Sequence, residues 1–383
     1  MAWTDRYVTT SGSSFNGGTS EADAWDLATA ASSVSAGTRL NIKAGSYSGS
    51  FSSITFAVSG TSQNSIWLRG YKTTPGDLDS KFTGDLTDGT DIPLIVTNDY
   101  SSVTISGNFN LISGISFKSE STNYSALYDT GSNGWRKNCR FHNAYNGAHE
   151  AVDTSGSNKS YVNCSFSAAG TSSGSSTTGL VDCTNNYRFT NCLFQATQSD
   201  SFHGIYQSWG NGNLAVYGCI FKNLKDGVRL QQGGTGIVAN NTFVDIAGDA
   251  IINRQASAAS NYDSLTGFTV ISNYFDSVSG YCYSHDVISK DGALVANNCY
   301  RNSSTKFNLT GDMVEFDALA DSSNQFTDSA GGDYSLKSTS SGYNAGMGGY
   351  WSLGTSDFRD VGAVQHDDPA SSGGGSIFHP LAQ

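Results

Sequence analysis

Glu150 and Asp200 are the carboxylates whose positions best suit an acid and a base. Arg229 or Arg254 could steady an anionic group beside them. Eight places after five copies of a recurring aromatic come His149, Phe202, Arg229, Ile251 and Tyr283, and close by lie Glu150, Asp200, His203, Asp226, Asp249 and Arg254. Residues at equal offsets in a stacked repeat share one face, so these form a single mixed patch. It fits a shallow groove in which a sugar linkage is held and cleaved. It fits equally a solvated face whose alternating charges satisfy one another. No two carboxylates recur at one offset from the aromatic in adjacent copies with a third nearby. Glu150, Asp200 and Arg229 therefore stand as candidates, and no catalytic set is assigned. His149, His203, Tyr206, Trp209 and Arg254 are the candidates for gripping a glycan without chemistry, and Trp135 and Tyr145 could add stacking surface.

The elements that must position this patch are set by one pattern, N-C-x-F. It reads Asn138-Cys139-Arg140-Phe141, Asn163-Cys164-Ser165-Phe166 and Asn191-Cys192-Leu193-Phe194, with looser copies ending at Phe117, Phe221, Phe243, Phe275 and Tyr300. Differences between successive aromatic positions are 24, 25, 28, 27, 22, 32 and 25 residues. Such a period marks stacked units that bury their apolar faces only against neighbours. Between the aromatics lie Gly, Ser, Asn and Thr with short alternating apolar runs, which predicts two or three short strands per unit. Stacked about 4.8 Å apart, equivalent side chains form ladders. The spacing predicts an inward aromatic ladder and a second ladder that changes from Cys139, Cys164, Cys192 and Cys219 to Asn241, Asn273 and Asn298. It also places Asn138, Asn163, Asn191, Asn240 and Asn297 at a corner, where asparagine suits a turn.

With its Gly-rich turns, this ladder resembles the right-handed parallel β-helix superfamily, which includes pectate-lyase-like enzymes and bacteriophage tailspike and head-decoration proteins. The resemblance covers roughly residues 100 to 310, and Gly37 to Tyr47 is similar to the family's first coil. It implies an all-β solenoid. Lyases of this kind hold Ca²⁺ with clustered carboxylates and use a basic residue to take a proton; hydrolases of the fold converge two or three carboxylates on one linkage. Phage spikes imply a homotrimer.

Thirty-three acidic against 21 basic residues give a net charge of −12, which excludes a nucleic-acid binder lacking a basic face. Four of the seven cysteines fall in one ladder, and none has zinc spacing, so all are expected to be reduced and buried, with no metal or other cofactor unless the lyase reading brings Ca²⁺. No run approaches 18 apolar residues, and no export signal precedes Trp3, which suits a virion protein released by lysis.

The expected organisation is an N-terminal cap over 1–35, a parallel β-helix over 36–310, a capping segment over 311–365, a Gly/Ser-rich linker over 366–376 and a docking peptide over 377–383. Within the cap, Ser20 to Ser32 reads as a helix opened by Ser20 and Asp23. In the tail, Ile377, Phe378 and Leu381 suit insertion into a capsid or tail partner. The resulting expectation is a structural virion protein of a tailed phage, a capsid-decoration or tail spike that binds a cell-surface polysaccharide. Its alternatives are a polysaccharide lyase or hydrolase and a non-catalytic glycan-binding adhesin.

Overall fold

The computed structural model describes residues 3–48, 53–81, 86–98, 102–121, 124–144, 149–170, 178–198, 200–207, 212–230, 235–254, 268–286, 294–303, 305–309, 315–316, 318–331, 333–343, 345 and 360–363. The chain is an all-β parallel solenoid whose coils each contribute a strand to three sheets. It divides into two compact units, Met1–Arg188 with Ala196–Phe202, and Phe189–Gln195 with His203–Gln383.

In the first unit the first sheet runs through Thr4–Val8, Thr38–Lys43, Ile66–Tyr71, Asn110–Ser113, Trp135–Lys137 and Ser157–Val162, all parallel. The second sheet stacks Gly45–Tyr47, Pro93–Thr97, Ser116–Ser119, Arg140–Asn143 and Ser165–Ala168. The third stacks Ile54–Phe56, Val103–Ile105, Leu127–Asp129, Val152–Asp153 and Gly179–Cys183. In the second unit the same order repeats. Its first sheet holds Leu214–Tyr217, Gly236–Ala239, Phe268–Ile271 and Leu294–Ala296, and its second holds Ile220–Leu224, Thr242–Ile246, Tyr274–Val278 and Cys299–Arg301. The third sheet there holds His203–Gln207, Val228–Leu230, Ile251–Arg254, Tyr281–Asp286 and Thr305–Leu309.

The ladders explain why these short strands stack in register. Phe117, Phe141 and Phe166 pair across neighbouring strands and stack at 5.6 and 5.1 Å; Phe194, Phe221, Phe243, Phe275 and Tyr300 do so at 4.7, 4.7, 5.1 and 5.4 Å. Each offset-stacked pair adds about 0.5–1.5 kcal/mol beyond its buried area. The corner asparagines Asn138, Asn163, Asn191, Asn240 and Asn297 all have φ between 52° and 54°. Asparagine tolerates this left-handed conformation because its short amide bonds locally. Gly114 and Gly218 take the same place at φ 63° and 61°.

Two features differ from the sequence expectation. The helix is Leu27–Ser33, capped by Asp26, whose carboxylate accepts the Thr29 amide at 2.7 Å. Asp23 instead accepts from the Gly17 amide and the Thr19 hydroxyl, so it closes a turn rather than opening the helix. The region read as a pure cap also begins with a first-sheet strand, because Thr4–Val8 already carries the alternation that pairs with Thr38–Lys43. Towards the far end, an antiparallel pair, Phe326–Asp328 with Asp333–Leu336, folds back. Phe326, Tyr334, Leu336 and Val361 pack on Val244, Tyr274 and Cys299 of the second sheet, and the Ala363 amide donates to Thr242 Oγ1 at 2.9 Å. The tail residues Ile377, Phe378 and Leu381 lie outside the described residues.

Candidate functional site

The chemistry-bearing side chains gather along the third sheet, and each unit places a different set there. In the first unit the register aligns Tyr128 with Asp153 and Asp153 with Asp182, so outward carboxylates do recur in adjacent coils. Counting from the aromatic concealed this, because the connection from the second sheet to the third varies in length from coil to coil. Glu150 sits just ahead of this row, half-buried, and accepts from Ser125 Oγ at 3.3 Å. Burial, with the Asp153 charge adding to it, pushes the Glu150 carboxyl up to about 7. Burial also raises Asp153, against the opposing pull of Lys159 and His149. The His149 carbonyl accepts from Asn143 Nδ2 at 2.7 Å. Asp200 is exposed and accepts from Ser201 Oγ at 3.2 Å. The hydrogen bond described for Glu150 is thus with Ser125 and the like charge acting on it is Asp153, residues that the sequence reading had not singled out, and the acid–base pairing of Glu150 with Asp200 gains no contact.

Behind this face, inside the first unit, lies a closed ionic network. Arg136 donates twice to Asp129, from Nε at 2.9 Å and Nη2 at 2.6 Å, and Tyr161 donates to the same carboxylate at 2.9 Å. Lys159 Nζ lies 3.2 Å from Asp129 Oδ1 and donates to Thr154 Oγ1 at 2.7 Å. Asp129, Arg136 and Lys159 are all fully buried. Burial lowers Lys159 to about 8, although Asp129 opposes the shift. Every charged group here has an opposite partner, as burial demands, and none faces solvent.

The second unit gathers a charged cluster at the starts of its third-sheet strands, with His203 and Asp226 buried and Arg229 partly exposed. His203 begins a third-sheet strand, and Asp226 precedes the next one in the same place. His203 Nδ1 lies 2.9 Å from Asp226 Oδ2, and Arg229 Nη1 reaches the same oxygen at 3.2 Å. Burial would raise Asp226, but the polar contact and charge of His203, the Asp249 amide and the Arg229 charge hold it below the usual carboxylate range. Tyr206, directly beside Arg229 in the register, stacks on the His203 ring at 5.7 Å. The Arg229 side chain is 14% exposed, and its Nε is buried without a hydrogen-bond partner among the described residues. The structure therefore gathers three sequence candidates, His203, Tyr206 and Arg229, and adds Asp226 as the group joining two of them. The Arg254 side chain and Trp209 lie outside the described residues.

The Ca²⁺ that the lyase resemblance implies finds no matching donor set here. Among the described residues no three His, Cys, Asp or Glu side chains are placed to share an ion, and Asp226 already serves His203, Arg229 and a backbone amide. No helix among them is long and apolar enough to cross a membrane.

Among solved structures, the chain is similar to pectate lyase Pel9A, with a TM-score of 0.69 at 15% identity over 95% of this chain and 96% of that one. A rhamnogalacturonan lyase matches with a TM-score of 0.46 at 13% identity over 85% and 90% of the two chains. A mannuronic-acid-specific family 6 polysaccharide lyase from human gut microbiota also gives 0.46, at 13% identity over 75% and 77%. At 15% identity the likeness to Pel9A establishes the fold alone. No protein-family model and no curated protein matches the chain.

Proposed function

We propose that this protein is a polysaccharide lyase acting on a uronate-containing chain where Arg229 opens the His203–Asp226 cluster of the second unit's third sheet to solvent. The observation that carries the reading is the convergence of His203 and Arg229 on one Asp226 oxygen, with Arg229 Nε left as a buried donor. Eliminative cleavage needs a cation on the sugar carboxylate and a base for the adjacent carbon-bound proton. Arg229 supplies the cation, because a guanidinium can engage a carboxylate through several donors at once. His203 is the base: it accepts the proton, the C–H electron pair becomes the new double bond, and the bond to the leaving sugar oxygen breaks. Tyr206 stands beside both to return a proton to that oxygen. Acid–base transfer of this kind contributes on the order of 10²–10⁴ in rate.

The virion-spike reading has no contact behind it, since the tail on which it depends lies outside the described residues. The expected alternative of a lyase has both the fold and this constellation in its favour. The test is a panel of uronate polysaccharides followed by the ultraviolet absorbance of the unsaturated product. Wild type should produce it and Arg229→Ala should raise KM sharply; binding without any product would identify a glycan-binding protein instead.

A further inference from the structure

The side chains of Asp226 and Asp249 occupy equivalent places one coil apart, each two residues ahead of the paired Val228 and Ile251. Each turns Oδ1 to the same task. Asp226 Oδ1 accepts the Asp249 amide at 2.9 Å, and Asp249 Oδ1 accepts the Tyr281 amide at 2.7 Å. A Cβ at Gly248 would lie 2.3 Å from Asp226 Oδ1, and one at Gly280 2.2 Å from Asp249 Oδ1, so glycine leaves room for each carboxylate. This contact belongs to coil stacking, because it repeats wherever the aspartate does. What Asp226 adds is its other oxygen, which meets His203 Nδ1 and Arg229 Nη1.

We infer that Asp226 is a positioning residue of the proposed site, fixed through Oδ1 by the next coil and using Oδ2 to orient both His203 and Arg229. A carboxylate oxygen 2.9 Å from Nδ1, close although not aligned as a hydrogen bond, favours a proton on Nδ1, which makes Nε2 the basic nitrogen of the ring. The same oxygen fixes the guanidinium by Nη1 and leaves its remaining donors for a ligand. The catalytic consequence rests on the lyase reading; the tautomer does not.

The experiment is therefore two-part. Long-range ¹⁵N–¹H correlations of the imidazole, assigned by loss of the signal in His203→Gln, report the tautomer in the folded protein without substrate. Wild type should carry the proton on Nδ1. Asp226→Asn keeps an oxygen for the Asp249 amide but puts an NH₂ group opposite Nδ1, so the proton should move to Nε2. With an active substrate, kcat should fall on the order of 100-fold or more, with KM less affected, because the ring then presents the wrong nitrogen. Asp249→Asn makes the same chemical change one coil further on and should leave the His203 tautomer and kcat as in wild type.

An Nε2-protonated His203 in wild type, which needs no variant to fold, would overturn the proposal. So would equal losses from Asp226→Asn and Asp249→Asn, since these would trace the effect to coil stacking. If wild type cleaves no uronate polysaccharide, the lyase reading fails, and the tautomer alone decides the role of Asp226.

Discussion

The third sheet carries charge in both units, yet the two halves dispose of it in opposite ways. In the first unit Asp129, Arg136 and Lys159 point inward and saturate one another, with Tyr161 and Thr154 completing the bonds. In the second unit the interior next to the second-sheet ladder is neutral. Asn241 donates to Asn273 at 3.0 Å and Asn273 to Asn298 at 3.1 Å, while the buried His203 and Asp226 and the partly exposed Arg229 cluster at the starts of the third-sheet strands with a donor to spare. A charge cluster with every bond satisfied is a structural device, because a ligand would have to displace partners already in place. A cluster with an unused buried donor leaves a bond that a ligand could still make. This contrast is why the second unit, and not the more heavily charged first, holds the proposed chemistry.

The largest effect that would break this comparison is at Arg136. Arg136→Met strands Asp129 in the interior with only Lys159 and Tyr161 and should cost about 3–5 kcal/mol in chemical denaturation, or abolish soluble yield. Lys159→Met should change stability by less than about 1 kcal/mol, because Arg136 and Tyr161 still hold Asp129 and one buried charge is removed. Equal losses from the two would mean that the network is not ordered around Arg136.

In the second unit, Asn273→Ala leaves the Asn241 amide without its acceptor and Asn298 without its donor. It should cost about 1–3 kcal/mol, the penalty for an unsatisfied buried polar group. Wild-type melting of this variant would mean that the amide ladder contributes nothing to coil stacking.

A smaller effect sharpens the reading of Glu150. Its folded value, about 7, stands above the ordinary 4.5, so the folded state binds the proton more tightly. The stabilisation is complete below about 4.5 and is lost as the pH rises towards 7. Glu150→Gln should therefore flatten the fall in melting temperature across that window. An unchanged pH slope would show that Glu150 is no more buried than an ordinary surface carboxylate.

The ladders were legible in sequence because they depend on residue type at fixed distance from one corner. Phe141, Cys164, Asn241 and the left-handed asparagines each repeat along a local run of four residues, and the strand from that run is continuous. The thiol-to-amide change fell on one inward ladder position, and all seven cysteines are buried and outside any disulfide. The Asp129 network was not legible. Its members lie 7 and 30 residues apart and read in sequence as ordinary surface charges. The site was half legible: His203, Tyr206 and Arg229 stood out as candidates, but the equivalence of Asp226 with Asp249, and of Asp153 with Asp182, was hidden by connections of unequal length between the second and third sheets. Both pairs stand at fixed offsets from the inward residues of the third sheet, one place after Val152 and Val181 and two places before Val228 and Ile251. Helix position was missed for a different reason, since Asp23 and Asp26 are both competent caps and tertiary contacts with Gly17 and Thr19 recruit the first into a turn.

The central claim is that His203, held with Arg229 by Asp226, removes a proton in an eliminative cleavage. Mass spectrometry of oligosaccharides released from a uronate polysaccharide tests it most directly. Wild type should release products lighter by one water than hydrolysis would give, and His203→Ala, folded as wild type, should release none. Hydrated products, or undiminished cleavage by His203→Ala, would contradict the account.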